Sequence, residues 1–380
     1  MTSRERFCAV LDGRLPDRIP VSLPGIDPAQ TDSFYAQHPS FSRLLEACRG
    51  LQDTIRFYRP DTGFFFSDRN SAALTVDQTR DSPLSVMTTV SVKTPAGILS
   101  RTVRRTTASC LNWVVKPWIE NRRDIETFLA LPWQPHLADL SGLAAARHEL
   151  GERGIVVVRL PTPLGVAGSL FAAGQAVRCL IDYPRLFQRL VEMFSERLSH
   201  FCRQIAPALH ATVVRLRGAE YVSPPALPPD RMRDARFFFA EYAVKYDRPM
   251  VEILRRAGRP FICYHWHDFS PELVPLLEKI RPDIVEPVCN GAEKPAVVAQ
   301  ARRLLPDTVL MGGVETEDLQ FRSAAEVRAL TAQAIRQGGR AGRFILIPRH
   351  VPVSSPLDAA EEENFITFLR AAHEEGKYSF

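Results

Sequence analysis

Two histidines stand two residues apart, on either side of Trp266 and directly after the apolar run at residues 260–264. Side chains at positions i and i+2 of a strand point to the same side. If residues 260–264 form a strand, His265 and His267 converge at its carboxyl end. Neutral imidazole is the commonest metal ligand in proteins, so the pair predicts half of a zinc site.

The elements that would position these histidines alternate along the chain. Strands are predicted at 18–22, 62–66, 154–160, 211–216, 260–264, 283–286, 308–311 and 343–347. Helical patterns separate the strands from residue 151 onward, which is typical of a parallel sheet with helical crossovers. Eight such units predict an α/β (β/α)8 TIM barrel, occupying residues 1–380 as a single domain.

Residues 86–118 have a different pattern, because polar and apolar side chains alternate on both sides of a Pro-Ala-Gly turn. That pattern predicts an antiparallel β-hairpin, inserted in the barrel after its second strand. An open, doubly wound sheet is the alternative fold. No GxGxxG sequence follows any predicted strand, which counts against a dinucleotide-binding version of that alternative.

Polar residues follow the predicted strands, and the active site of such a barrel lies at the carboxyl ends of its strands. His350 follows the last strand and is the candidate third metal ligand; Glu220 is the candidate fourth, in competition with Glu286, Glu315 and Asp268. Three imidazoles and one carboxylate are a donor set that zinc accepts. The candidate substrate-binding residues at the same ends are Tyr221, Trp266, Arg217, Glu315 and Arg349.

Arginines and aromatic residues near these ends allow two interpretations each. Arg215, Arg217 and Arg349 would suit a substrate carboxylate or could pair with the local glutamates. Tyr221, Tyr264, Trp266 and Phe269 could surround a methoxyarene or a quaternary ammonium group, or could simply pack. Cys263 shares the inward parity of His265 but lies deeper, so we expect it to pack the barrel interior.

Bulk composition excludes several classes of protein. The 48 basic and 43 acidic residues give a net charge of only +5, and no run of basic residues indicates a nucleic-acid partner. Only six of the basic residues are lysines. The base composition of the genome is the favoured explanation of this excess of arginine, and anion binding is the alternative. Seven scattered cysteines without a CxxC pair, and no apolar run of about 20 residues, predict a cytoplasmic protein with free thiols and no membrane span.

Five short segments, in their order and spacing, resemble the uroporphyrinogen decarboxylase superfamily. They are Ser3-Arg4-Glu5-Arg6, Pro163-Leu164-Gly165, Gly218-Ala219-Glu220-Tyr221, Met311-Gly312-Gly313-Val314-Glu315 and Ile345-Leu346-Ile347-Pro348. The resemblance is closer to the zinc- and corrinoid-dependent methyltransferases of that superfamily than to the decarboxylase itself. It covers nearly the whole chain.

The methyltransferase branch carries His-x-Cys where this chain has His265 and His267, and a further Cys where it has His350. The resemblance therefore implies zinc on these three histidines, with Glu220 standing where related members have an acidic residue near the metal. Imidazole-bound zinc is a stronger Lewis acid than thiolate-bound zinc. The expected reaction moves a methyl group from a small methylated O- or N-compound to a corrinoid on a partner protein.

Two other functions stay open. Phe66-Ser67-Asp68 resembles the aspartate segment of the decarboxylase, so Asp68 is a second candidate catalytic residue, beside Glu220. A decarboxylase or lyase would then act on a carboxylated substrate other than uroporphyrinogen, because residues 21–27 contain no arginine. The third function is a non-catalytic module that binds a corrinoid or another ligand. A homodimer is the default expectation for the assembly.

Overall fold

The computed structural model describes residues 1–69 and 73–378. The helices are α1 Ser3–Leu11, α2 Ser42–Leu51, α3 Arg122–Leu129, α4 Ser141–Leu150, α5 Pro163–Gly168, α6 Gln175–Asp182, α7 Pro184–Ile205, α8 Ala235–Phe238, α9 Lys245–Ala257, α10 Val274–Ile280, α11 Val297–Leu304, α12 Thr316–Phe321, α13 Ala324–Gly338 and α14 Ala359–Glu375. The strands are β1 Thr54–Tyr58, β2 Ala73–Ser82, β3 Ser85–Thr94, β4 Gly97–Thr106, β5 Asn112–Lys116, β6 Gly154–Pro161, β7 Val213–Arg217, β8 Phe261–His265, β9 Ile284–Glu286, β10 Val309–Val314 and β11 Phe344–Pro348. No helix in the described ranges is long and apolar enough to span a membrane.

Seven strands form a parallel sheet in the order β1-β6-β7-β8-β9-β10-β11. From β6 onward each strand pairs with the next one along the chain, and helices lie between them. This order is consistent with a (β/α)8-like barrel that is not closed, because β11 does not pair with β1 in the described ranges. The six strands predicted from residue 154 onward are all present. The predicted closed barrel of eight strands is only partly realised, because the sheet has seven strands.

The expected first strand, residues 18–22, is not a strand. It forms isolated bridges, in which Val21 pairs with Leu346 of β11 and Arg18 pairs with Lys377. The Ser22 N–H donates to the Leu346 carbonyl at 3.0 Å. Pro20 has no N–H to donate, so a regular ladder cannot extend through this segment.

The prediction of a second strand at residues 62–66 is wrong. Gly63, Phe65 and Phe66 have φ values of 61°, 51° and 63°, which an extended strand does not adopt. The aromatic side chains pack locally instead; the ring centroids of Phe65 and Phe128 are 5.2 Å apart. The strand in this part of the sheet is β1, eight residues earlier, which pairs with β6.

The predicted hairpin insertion is a larger, four-stranded antiparallel sheet, β2-β3-β4-β5. One face of β3 and β4 packs on the main core, with Val92 and Leu99 buried as a cross-strand pair. The loop between β4 and β5 bridges to the segment after β11, where Ser109 pairs with Ser354. The insertion therefore lies over the carboxyl ends of the barrel strands.

A separate apolar cluster fills the interior of the parallel sheet near the amino ends of its strands. Inward-facing residues such as Val213 and Ile284 contribute to it, and Phe7 of α1 is buried among them. Cys263 belongs to this cluster, which confirms the interior packing expected for it. All seven cysteines are free thiols. The closed base leaves the carboxyl ends of the strands as the open side of the sheet.

Candidate functional site

The two histidines at the end of β8 converge. His265 is the last residue of the strand and His267 lies two positions later, and their Nε2 atoms are 2.8 Å apart. The rings are nearly perpendicular, with an interplanar angle of 85°. At this distance the two nitrogens share one proton in a hydrogen bond when both rings are neutral.

The other nitrogen of His265 is held from behind by a buried ion pair. His265 Nδ1 lies 2.8 Å from Glu286 Oε1 and 2.7 Å from Arg215 Nη2, and Arg215 Nε donates to the same carboxylate oxygen. Arginine has only donors, so Nδ1 accepts from Arg215 when it is unprotonated and donates to Glu286 when it is protonated. In the second tautomer Nε2 carries the lone pair that faces His267. A carboxylate behind an imidazole in this way is the usual support of a metal-ligating histidine.

All three histidines of the predicted site are held towards the neutral form. Burial, followed by the charge of Arg215, lowers the pKa of His265, and burial followed by the neighbouring His265 lowers the pKa of His267 to about 3. Burial and the charge of Arg349 lower the pKa of His350. Neutral imidazole is the form that binds a metal ion.

The third and fourth predicted ligands are less well placed. The ring centroids of His267 and His350 are 5.3 Å apart, so His350 stands beside the pair without touching His265 through a hydrogen bond. Glu220 accepts from Arg217 Nε at 2.8 Å, and its Oε2 is buried without a hydrogen-bond partner among the described residues. Within residues 1–69 and 73–378, no three His, Cys, Asp or Glu side chains form a group that could hold a metal ion.

A fit to zinc can be judged on the pair alone. Two nitrogens bound tetrahedrally to one zinc at about 2.05 Å lie roughly 3.3 Å apart. The Nε2 atoms of His265 and His267 would need to separate by about half an ångström from their 2.8 Å contact. The pair therefore fits two positions of a zinc site, and His350 would need a side-chain rotation to supply a third.

The remaining predicted substrate residues fall into three groups. Arg349 is already paired, with Glu315 at 2.9 Å and Asp268 at 2.7 Å. Tyr221 and Arg217 line a cavity described below. Trp266 is 1% exposed, donates its indole N–H to Ser223 Oγ and, as the residue between the two histidines, lies on the opposite side of the strand end from them.

A cavity of about 530 Å³ lies beside the histidines, at the carboxyl ends of β6 and β7. Its wall is largely aromatic and apolar, with Phe64, Phe65 and Trp118 among the lining residues. Arg215 joins the two regions, because it lines the cavity and also contacts His265. Asp68 is not among the lining residues that the structure describes.

Three further arginines reach the cavity and are not among the predicted site residues. Arg59 follows β1, Arg159 lies near the end of β6, and Arg101 comes from β4 of the insertion. Arg59 lies two residues after Phe57, whose side chain points into the barrel, so the side chain of Arg59 points the same way. A correct prediction of β1 would therefore have placed Arg59 at the site. Arg101 had no such signal, because the sequence does not show which face of the insertion covers the barrel.

Comparisons with known proteins indicate the fold. No family model matches the chain, and no curated protein matches it either. Among solved structures, a methyltransferase from Methanosarcina mazei is similar over 98% of this chain and 99% of its own, with a TM-score of 0.56 and 13% sequence identity. A B12-independent methionine synthase from Shewanella matches 64% of this chain and 68% of its own, with a TM-score of 0.41 and 13% identity. The first likeness shows that this chain shares a fold with that methyltransferase from end to end.

Proposed function

We propose that this chain is an enzyme that removes a methyl group from a small methylated O- or N-compound. The observation that carries the proposal is the convergence of His265 Nε2 and His267 Nε2 at the open end of the barrel, with Glu286 behind His265. The fold shared with the Methanosarcina mazei methyltransferase agrees with it but shows no activity.

Zinc held by His265, His267 and His350 would supply a Lewis acid for the leaving heteroatom of the donor. Glu286 would fix the ring of His265 through Nδ1, and the charge of Arg215 would keep Glu286 ionised. Burial alone would raise the pKa of Glu286, but the charge of Arg215 and the hydrogen bond from His265 outweigh it and lower the pKa to about 2. Burial and the charge of Arg215 lower the pKa of His265, and Glu286 would hold the remaining proton on Nδ1, so that Nε2 would be available to the metal.

In the transfer, the bond between the methyl carbon and the heteroatom breaks, the methyl group joins a nucleophilic acceptor, and the heteroatom takes up a proton. Glu220 is the group proposed to pass that proton from solvent to the heteroatom, because it lines the cavity and its Oε2 has no hydrogen-bond partner in the described ranges. The proposed acceptor is a corrinoid on a partner protein, which would approach at the carboxyl ends of the strands.

Metal content is the first test. The wild-type protein, purified without chelator, is expected to hold about one zinc per chain, and His267→Ala is expected to lose it. His148→Ala is the matched control, because His148 lies in the last turn of α4, away from the strand ends, and the variant should keep the metal. Wild-type protein with far less than one zinc per chain would rule out the metal-dependent reaction.

The alternative reaction is decarboxylation of a carboxylated substrate on the same barrel, and the arginines of the cavity favour it equally. It needs no metal, and Asp68 is its candidate catalytic residue. Removing the metal and substituting Asp68→Asn separate the two: only methyl transfer depends on zinc, and only decarboxylation depends directly on the Asp68 carboxylate.

A further inference from the structure

The cavity beside the histidines contains positive charge that the protein itself does not neutralise. Arg215 and Arg217 are paired with Glu286 and Glu220. Arg59, Arg101 and Arg159, in contrast, have no carboxylate within ion-pair distance among the described residues.

Local contacts reinforce that difference. The Arg101 Nε atom is buried and has no hydrogen-bond partner among the described residues. The guanidinium of Arg159 lies 4.8 Å from the centre of the Phe57 ring, which is a cation–π contact and supplies no counter-charge. Arg101 and Arg159 are half-buried, and Arg59 is exposed at the mouth of the cavity. A charge that is partly removed from water and has no counter-ion is destabilising. Three uncompensated arginines lining one cavity therefore indicate a site that is completed by an anion.

Electrostatics agrees with the geometry. Burial, and then the charges of Arg215, Arg59 and Arg217, lower the pKa of Arg159 to about 9. Burial is also the main cause that lowers the pKa of Arg59 and of Arg101. Each guanidinium is therefore held in its charged form at a cost, and a bound anion would remove that cost.

The rest of the wall determines what the anion carries. Phe64, Phe65, Trp118 and Tyr221 line the same cavity, and its volume of about 530 Å³ admits a small ring compound. Aromatic walls favour a flat, apolar body, while guanidinium groups bind carboxylates through paired N–H donors. The same arginines would repel a quaternary ammonium compound.

We propose that this cavity binds an aromatic carboxylate, with Arg59, Arg101 and Arg159 holding the carboxylate and the aromatic wall enclosing the ring. The assignment of this ligand as the methyl donor rests on the proposed function, since a methylated aromatic acid would place its ring beside Arg215 and the histidines. Binding of the carboxylate itself requires neither the metal nor the reaction.

Calorimetric titration of the full-length protein with three probes tests the charge requirement. Benzoate has both the ring and the charge, anisole has a ring without charge, and benzyltrimethylammonium has a ring with the opposite charge. Benzoate is expected to bind at least tenfold more tightly than either of the others, and more weakly as salt is added. Equal binding of benzoate and anisole, or no binding of benzoate, would overturn the proposal.

Variants then separate ligand binding from folding. Arg159→Met and Arg101→Met are each expected to weaken benzoate binding about tenfold or more, with an unchanged or higher melting temperature, because each removes a half-buried charge that has no carboxylate partner among the described residues. Arg302→Met is the control: Arg302 donates to backbone carbonyls such as that of Thr308, outside the cavity, so its loss should lower the melting temperature and leave benzoate binding intact. Full benzoate affinity in both cavity variants contradicts the proposal.

Failure of the carboxylate-site proposal can be distinguished from failure of the proposed methyl transfer. His267→Ala should lose zinc and still bind benzoate, because His267 does not line the cavity. Benzoate binding by a protein that never holds zinc would reject the metal-dependent reaction and support the carboxylate site. Stoichiometric zinc without benzoate binding would reject the carboxylate site alone.

Discussion

Asp247 should make the protein less stable as the pH rises. The side chain lies on α9 and is fully buried, and its Oδ2 accepts a hydrogen bond from the Tyr264 hydroxyl at 2.6 Å. Its Oδ1 has no partner among the described residues. Burial raises the pKa of this carboxyl from 3.8 to about 8. The folded protein therefore carries a proton on Asp247 at neutral pH.

The sign of the effect follows from proton binding. Between about pH 4 and pH 8 the folded protein holds this proton and the unfolded chain has lost it, so raising the pH favours unfolding. Each pH unit within that window changes the free energy of unfolding by about 1.4 kcal/mol. From pH 5 to pH 8 the contribution of Asp247 is thus a loss of at most about 4 kcal/mol.

Urea denaturation at pH 5 and at pH 8, followed by circular dichroism, measures this loss. Asp247→Asn resembles the protonated acid and should remove most of the difference between the two pH values. Asp27→Asn is the matched control. Burial acts to raise the pKa of Asp27, but the Ala29 N–H and Arg56 outweigh it and lower that pKa, so its substitution should cost the same at both pH values. If wild type and Asp247→Asn lose the same stability between pH 5 and pH 8, the carboxyl is ionised in the fold and the reasoning is wrong.

Two further predictions concern the interior of the sheet. Phe7→Ala should destabilise the protein by about 3–5 kcal/mol in urea denaturation, because it opens a cavity at the closed base; Leu137→Ala, at an 82% exposed position, should cost far less. Glu286→Gln should cost about 3–5 kcal/mol by leaving Arg215 unpaired in the interior. Glu126→Gln, in an exposed pair, should change thermal unfolding little, and equal effects of the two glutamine variants would refute the role given to the buried pair.

Much of the sheet could be predicted from the sequence, because buried parallel strands consist of short runs of apolar residues. Strands β6 to β11 are of this kind, and the alternation of His265 and His267 follows directly from β8. The segment Thr54–Tyr58 was missed, because it carries Arg56 at its centre and resembles a polar connection. Arg56 faces Asp27 on the outside of the sheet, and that partner is 29 residues away in sequence.

The candidate site could be predicted only as far as it lies on strands. The other parts of the site depend on loop geometry. Residues 62–66 have the apolar pattern of a strand, but the backbone turns at Phe65 and Phe66 and directs the aromatic rings into the cavity wall. Pairing of Arg349 with a local glutamate was one of two alternatives that the sequence left open, and the structure pairs it with Glu315 and Asp268. The choice depends on how three strand ends approach one another, which the sequence does not show. Sequence spacing gives the direction of a side chain along a strand but not its neighbours across the barrel.

The cavity is built from two parts of the chain, the barrel strands and the inserted antiparallel sheet. Arg159 and Arg215 line it from the barrel strands, whereas Val90 and Arg101 reach the same cavity from the insertion. A change in β3 or β4 can therefore alter which molecule is accepted without moving any atom of the reactive end. In evolution or in the laboratory, exchange of this one sheet offers a route to new substrates that leaves the chemistry in place.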